Sequence, residues 1–379
     1  MKVLSKISNK APYHWKLNYS GKHNKATVIL GAGASKILGF PTQLNLWRYL
    51  RSHSTKHGRS HLDYIRKYYG DDIEKSFTHI MLSAKDSAPE DYLESPLVHL
   101  KSVISDAFKR HRLDRKGVRI YREFIQGLIE LFPGVEFISL NWDNALEQIL
   151  ESLGQKVNYH FLFDKSFQSE FSLVDNGVSV LKIHGSVNWH FCHHCKRLIC
   201  DNSVPISEYL VQVKVHKESE KQSYILLDSV IDSAKNRLPK TFGDDPIEIG
   251  LTSFHRCPVC KQPALECILT PPSHLKPAGF DYLDSIKRAC FQCLSSSGTL
   301  ILVGCGWREV DYDLSHLIHT AALGSGWIKL YIVNDLKTAK RNLKFFKRTT
   351  GPRLECTAIH LGYLNQSTLH ELRHALSVR

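Results

Sequence analysis

The chain has 379 residues, 42% hydrophobic and 23% charged, with 50 Lys and Arg against 37 Asp and Glu for a formal charge of +13. That length supports one α/β core with insertions and argues against a string of independent units, and there is neither an internal repeat nor a low-complexity tract. Met1 to Lys25 is basic but has no apolar segment, which excludes a signal peptide or membrane span there, so a cytoplasmic protein is expected.

Ala26 to Leu30 is a short apolar run rich in β-branched residues, as expected of a parallel strand buried on both faces. It ends in Gly31-Ala32-Gly33-Ala34-Ser35. A helical pattern comes next through Ile37, Leu38, Leu44, Trp47 and Leu50, broken by a turn at Gly39-Phe40-Pro41. Strand, small-residue turn and helix in that order place backbone N–H groups where a pyrophosphate can sit, and glycine at 31 and 33 permits close approach. On its own this signal is weak, since any tight strand-to-helix connection can use it.

Residues 60 to 132 repeat a helical period through Tyr64, Ile65, Tyr68 and Tyr69, then Val103, Ile104 and Phe108, then Tyr121, Phe124, Ile125, Leu128 and Leu131. They are expected as a helical insertion forming a lid or an oligomer surface. A second strand, Val135 to Leu140, runs into Asn141-Trp142-Asp143-Asn144 and a helix through Ala145, Leu146, Ile149 and Leu150. A third, Val178 to Ile183, ends at His184-Gly185-Ser186, and a fourth, Thr299 to Val303, ends at Gly304-Cys305-Gly306-Trp307. A fifth, Ile328 to Val333, ends in Asn334-Asp335, suited to a ribose hydroxyl. In open α/β sheets ligands bind outside the carboxyl ends of strands, so these residues converge on one crevice. Taken singly, Asp143 or Asn144 is more often a helix N-cap than a catalytic group, and His184 more often a half-buried structural histidine. Glu355 to Leu361 is expected as a last strand and Ser367 to Leu376 as a last helix.

Cys192-His193-His194-Cys195 and Cys257-Pro258-Val259-Cys260 are two Cys-x-x-Cys knuckles, the spacing that closes one tetrahedral zinc site. The ligands expected are Cys192, Cys195, Cys257 and Cys260, within a second insertion spanning 190 to 270. Its middle, Lys214 to Asp245, is polar and reads as a long loop or a short helix pair. Ten cysteines in a cytosolic chain point to metal and buried thiols before disulfides. Cys290 and Cys293 share one helix face and read as core packing, while Cys200 and Cys267 flank the knuckles as spare ligands.

In their order these motifs resemble the sirtuin family from about residue 26 to 335. Gly31-Ala32-Gly33-Ala34-Ser35 with Gly39-Phe40-Pro41 resembles its Gly-Ala-Gly-x-Ser and Gly-Ile-Pro elements. Asn141-Trp142-Asp143 resembles its Gln-Asn-x-Asp, and His184-Gly185 its catalytic His-Gly. Gly304-Cys305-Gly306 stands where the family has Gly-Thr-Ser, and Asn334 where it has an asparagine for the adenosine ribose. The resemblance implies a Rossmann-like parallel sheet flanked by helices, with NAD as substrate and a structural Zn2+. Two departures matter: Leu140 replaces the family's glutamine, and Ile268 to Pro277 lacks the Val-x-Phe-Gly-Glu strand that pairs with an acyl-lysine peptide. Strand addition is how such peptides are gripped, so the chain is similar to the bacterial sirtuin-like NAD hydrolases of anti-phage defence. Asn141, Asp143 and His184 are then expected to be catalytic, and Gly31, Ala32, Gly33, Ser35, Phe40, Pro41, Gly304, Cys305, Gly306, Asn334 and Asp335 to bind NAD. A non-catalytic NAD or ADP-ribose sensor and an NAD-dependent deacylase stay open as alternatives.

The resemblance also implies a homo-oligomer or a partner, such as a DNA-translocase-type ATPase or an Argonaute-like protein, and no membrane. Basic residues gather at Lys109, Arg110, Arg112, Arg115 and Lys116 and again at Lys337, Lys340, Arg341, Lys344, Lys347 and Arg348. Such a surface suits nucleic acid or an acidic partner, or is a solvated basic face.

Overall fold

The computed structural model describes residues 25–85, 96–160, 177–192, 194–195, 198–200, 257, 259–260, 265–271, 281–306, 312–325, 328–350, 354–360, 364–365 and 367–377. Met1 to Asn24, the Lys214 to Asp245 stretch, Trp307 and most of the segment expected to lack a peptide-docking strand lie outside them.

The main sheet is built from β1 (Ala26–Leu30), β2 (Glu136–Ser139), β3 (Val157–Asn158), β4 (Val178–Lys182), β8 (Thr299–Val303), β9 (Ile328–Asn334) and β10 (Leu354–His360), in the spatial order β10-β9-β8-β1-β2-β4-β3. Each neighbouring pair is parallel. Setting aside the two-residue β3, the six longer strands take the Rossmann order 3-2-1-4-5-6. The order reverses between β1 and β8, which makes the carboxyl ends of those strands the expected ligand crevice. β1 is buried at every position, as a central parallel strand covered on both faces must be. Its one polar side chain, Thr27, is satisfied by Ser297 Oγ at 2.6 Å and by the Cys293 carbonyl at 3.2 Å.

The first turn is a short α1 (Ala32–Ser35) continued as a 3-10 turn over Lys36–Leu38 and stopped by Gly39 in the left-handed region at φ 90°. The next helix, α2 (Gln43–His53), buries Leu46, Tyr49 and Leu50. Leu44, expected on its apolar face, is 88% exposed instead. α3 (Lys56–Tyr69), α4 (Ile73–Lys85), α5 (Pro96–Lys109) and α6 (Arg115–Leu131) come after it. Their buried side chains belong to the same continuous core as the sheet. Phe77 of α4 meets the Trp142 ring edge to face at 5.9 Å, and Phe108 of α5 stacks on Phe40 at 5.5 Å. The helices therefore brace the loops at the carboxyl ends of β1 and β2.

His61 of α3 lies beside His99 of α5, ring centroids 5.4 Å apart, with its Nε2 buried and, among the described residues, unpartnered. Burial, then repulsion from His99, pushes His61 down to about 4 from an ordinary 6.5, against a hydrogen bond to the Pro96 backbone that raises it. Between those values the unfolded chain binds a proton that the folded chain refuses. Stability is therefore full above pH about 6.5 and falls as pH drops toward 4, by up to about 3 kcal/mol. Urea denaturation of His61→Gln should show a shallower loss between pH 7 and 5 than the parent; an identical loss would remove this role.

A second, antiparallel sheet joins β5 (Gly185–Cys192), β6 (Leu198–Cys200) and β7 (Leu265–Leu269) in the order β6-β5-β7. These three strands were not expected. Gly185 makes the reversal from β4 possible: its φ is +74°, and a Cβ there would stand 2.0 Å from the Ile268 carbonyl oxygen. Lys101 of α5 and Glu266 of β7, each 2% exposed, form a buried ion pair that ties this sheet to the helices. The remaining described helices are α7 (Ala145–Ser152), α8 (Asp281–Ser296), α9 (Tyr312–Ser325), α10 (Leu336–Thr350) and α11 (Thr368–Ser377). Among the described residues no helix is long and apolar enough to cross a membrane.

Candidate active site

Register places the candidate residues. Leu30 pairs with both Ser139 and Val303, Ser139 with Lys182, and Val303 with Val333. Gly31 and Gly304 therefore each stand one residue beyond a matched level of the sheet, and Asn141 and His184 each two residues beyond it. Asn334 comes directly after Val333. All five strand ends open on the same edge.

The two glycine turns pack against each other. Gly31 N–H donates to the Val303 carbonyl at 3.0 Å and Gly33 N–H to the Gly304 carbonyl at 2.9 Å. Gly304 sits at φ +63°, and a Cβ on it would come within 2.1 Å of Ala34 N. The sequence assigned Gly31 and Gly33 to a pyrophosphate; here their N–H groups hold turn to turn, and the glycines are needed for that contact.

Asn141 is buried, and its side chain is fixed by two donations from Nδ2, to the Gly31 carbonyl and to Ser35 Oγ, both 3.0 Å. Among the described residues its Oδ1 is buried without a partner. Asp143 lies behind it. Ser35, which accepts from Asn141, also draws the Asp143 carboxyl down, so it stands between Asp143 and Asn141. The same carboxylate accepts from the N–H of Ala145, the first residue of α7, at 3.1 Å, while the N-cap position itself is Asn144, whose side chain makes no capping hydrogen bond. Burial pushes the Asp143 carboxyl up, opposed by Lys182, by the Ser35 hydrogen bond and by the Ala145 N–H.

Beneath this loop lies a network that sequence reasoning missed. Lys182, wholly buried at the end of β4, donates to the Asp143 carbonyl and pairs with Glu147 of α7 at 2.9 Å. Burial pushes the Glu147 carboxyl up while Lys182 pulls it down. A lone lysine in the apolar run Val178 to Ile183 and a glutamate on the apolar face of α7 were the available signals. The Trp142 carbonyl accepts from Val187 N–H at 2.9 Å and Ser186 Oγ at 3.3 Å, and its indole donates to the Thr270 carbonyl at 3.2 Å. His184 is 1% exposed, and its carbonyl accepts from Thr270 N–H at 2.9 Å.

Other expected ligand residues are engaged internally. Asn334 donates to the Cys305 carbonyl at 2.9 Å and accepts from Asp335 N–H, and Asn342 donates to the same carbonyl at 2.8 Å. Cys305 is 1% exposed with Sγ directed at the Ile29 carbonyl. The Asp335 carboxylate accepts from Thr338 N–H, which holds it below the usual carboxylate range. Phe40 packs against His111 at 4.1 Å between ring centroids. Ala32 opens α1 directly after Gly31, Gly306 comes two residues after Gly304 and borders Arg341, and Pro41 comes two residues after the Gly39 stop.

The four knuckle cysteines meet. Their sulfurs lie within 4.8 Å of one another, with Cys192 to Cys260 at 3.6 Å and Cys195 to Cys257 at 3.7 Å. Tetrahedral zinc with bonds of about 2.3 Å requires sulfurs about 3.8 Å apart. Cys195 and Cys260 N–H each point at the first sulfur of their own knuckle, at 3.4 and 3.5 Å. Burial pushes the Cys192 thiol up to about 12, so its thiolate needs a cation's charge at neutral pH. The donor set fits a closed structural Zn2+ site. Cys200 and Cys267 stand outside it: Cys267 points at the Ser186 and Val187 carbonyls, and Cys200 accepts from Asn188. Cys290 and Cys293 are buried in the core. The chain should carry one zinc equivalent by metal analysis, and Cys257→Ser should lose it together with several degrees of melting temperature. A parent protein free of zinc, with the same melting point after chelation, would contradict the assignment.

No protein-family model and no curated protein sequence matches the chain. Among solved structures it is similar to a Sir2 homologue in complex with ADP-ribose, at 13% identity and a TM-score of 0.38 over 94% of each chain. It is similar also to a Sir2 homologue in complex with NAD, at 11% identity and 0.37 over 93% of this chain and 91% of that one. Sir2Tm bound to a propionylated peptide gives 10% identity and 0.37 over 94% of each. At these scores the likeness assigns neither substrate nor activity.

Proposed function

We propose that the chain hydrolyses NAD at the nicotinamide–ribose bond, releasing nicotinamide and ADP-ribose. The observation that carries this reading is Asn141: its amide nitrogen is pinned to Gly31 and Ser35, so its buried, unpartnered Oδ1 is fixed in direction. One strand away, His184 stands beyond β4 at the same level of the sheet.

The bond to be broken leaves a neutral nicotinamide from a cationic one, so no general acid is required. The reaction passes through an oxocarbenium-like state, as other glycosyl transfers do. Water oxygen bonds to the anomeric carbon, the C–N electron pair leaves with nicotinamide, and the water proton passes to a base or to solvent. Asn141 Oδ1 is the acceptor for the ribose hydroxyl or the attacking water. Asp143 orients Asn141 through Ser35. His184 acts on the ribose hydroxyls as the base, a role typically worth about 10²- to 10⁴-fold. Asn334, held to Cys305 and Asp335, sets the wall on the adenosine side. The Zn2+ site contributes structure to the β6-β5-β7 sheet and takes no part in this chemistry.

A hydrolase that was always on would deplete the cytoplasmic NAD of its own cell, so we place the activity under control of self-assembly or a partner, as an effector of anti-phage defence. The reading is tested by incubating the protein with NAD alone. Nicotinamide and ADP-ribose should appear in equal amounts; release that depends on an acetylated peptide would make the chain a deacylase.

A further inference from the structure

α10 carries six cations and no acidic residue over Leu336–Thr350. At 100° per residue, Lys337, Lys340, Arg341, Lys344, Lys347 and Arg348 fall within about 120° of the helix circumference. All six residues are exposed, while Ala339, Asn342 and Phe346 on the opposite side are buried. Burial of that inner side fixes the helix roll: Asn342 holds the Cys305 carbonyl, and Phe346 is 1% exposed. The cations therefore form a stripe about 16 Å long at 1.5 Å per residue. A shallow hollow of about 380 Å³ bordered by Lys340, Leu343, Lys344, Lys347 and Arg348 runs along it.

Among the described residues the stripe has no internal counter-charge along most of its length. The nearest acid in sequence, Asp335, is held by Thr338 N–H and acts electrostatically on Arg341 at one end. Among the described residues none of the other five meets a carboxylate in an ion pair. In the other basic group Lys109 has its Nζ buried, while Arg110, Arg112, Arg115 and Lys116 are exposed across the turn between α5 and α6 and share no single helix face.

We propose that this face of α10 binds the phosphate backbone of nucleic acid. A duplex presents one charge per about 1.7 Å of its axis, and a linear row of long side chains of one sign neutralises several phosphates without reading sequence. An open hollow among lysines suits a strand lying along the helix, and the aromatic beside it, Phe345, is half-buried and packed edge-on against Phe346. Binding is therefore electrostatic and indifferent to sequence. At one end Arg341 borders Gly306, while Lys344, Lys347 and Arg348 lie farther along α10, and the proposal does not rest on the proposed hydrolysis.

The test is fluorescence anisotropy with a labelled single-stranded DNA of about 20 nucleotides and its duplex, titrated over salt. With about five phosphates neutralised, the affinity should fall with a log–log slope near −3.5 for the single strand. Lys344→Glu with Lys347→Glu and Arg348→Glu, all exposed, should weaken binding at low salt at least about tenfold and lower the slope by about 2. Far-UV circular dichroism and the melting temperature of this variant should match the parent, which shows that it folds. A parent affinity insensitive to salt, a slope unchanged in the triple variant, or polyglutamate competing as well as DNA would each overturn the proposal.

Discussion

Asn141→Ala is expected to abolish nicotinamide release, by at least about 10²-fold, while leaving a folded protein. The substitution removes two donations, to the Gly31 carbonyl and to Ser35, and each lost bond to a buried group costs about 1–3 kcal/mol. Some stability is therefore lost with the activity. The separation comes from His184→Ala, which should lose a comparable factor in rate without touching either of those bonds. Far-UV circular dichroism and melting on both variants would show native folds with no turnover. Full activity in either would overturn the catalytic assignment; unfolding of Asn141→Ala alone would leave His184→Ala to decide it.

The second large effect belongs to Lys182. Removing one partner of a buried ion pair leaves an uncompensated charge and costs about 3–5 kcal/mol, so Lys182→Met should move the urea midpoint sharply down. It should also lose nicotinamide release, because Lys182 holds the Asp143 carbonyl and opposes the upward push of burial on the Asp143 carboxyl. Adding Glu147→Leu replaces the pair with apolar volume and should recover most of the stability. Release should remain depressed in that double variant, since the Asp143 contacts are still gone. Recovery of both together would mean that Lys182 serves the fold alone.

The Rossmann core was legible because buried parallel strands announce themselves as apolar runs. Ala26 to Leu30 and Thr299 to Val303 are observed with the expected bounds; the strand expected at 135–140 is one residue shorter at each end, that at 178–183 one residue shorter, that at 328–333 one residue longer, and that at 355–361 shifted by one. The site's framework was legible in the residues just beyond each run, since Gly31, Asn141, His184, Gly304 and Asn334 all stand at strand ends. The zinc knuckles were legible from ligand spacing, even across the long gap between them. The antiparallel sheet was not, although Val187, Trp189 and Phe191 alternate with Ser186, Asn188 and His190 at the period of a strand. The His184-Gly185 motif drew attention to its role as an end and hid its role as a beginning. Tertiary demands hid the rest. Nothing local says that Gly33 and Gly304 hold each other, that Asn334 is spent on Cys305, or that Lys182 reaches back to Glu147, since each contact joins residues distant along the chain.

The most direct measurement is nicotinamide released from NAD by the purified, zinc-loaded chain across a range of protein concentrations, with bound and free NAD quantified alongside. The account predicts nicotinamide and ADP-ribose in equal amounts, at a rate rising more than linearly with protein as assembly switches the site on. NAD bound tightly and recovered intact at every concentration would contradict it and make this site a sensor of the dinucleotide.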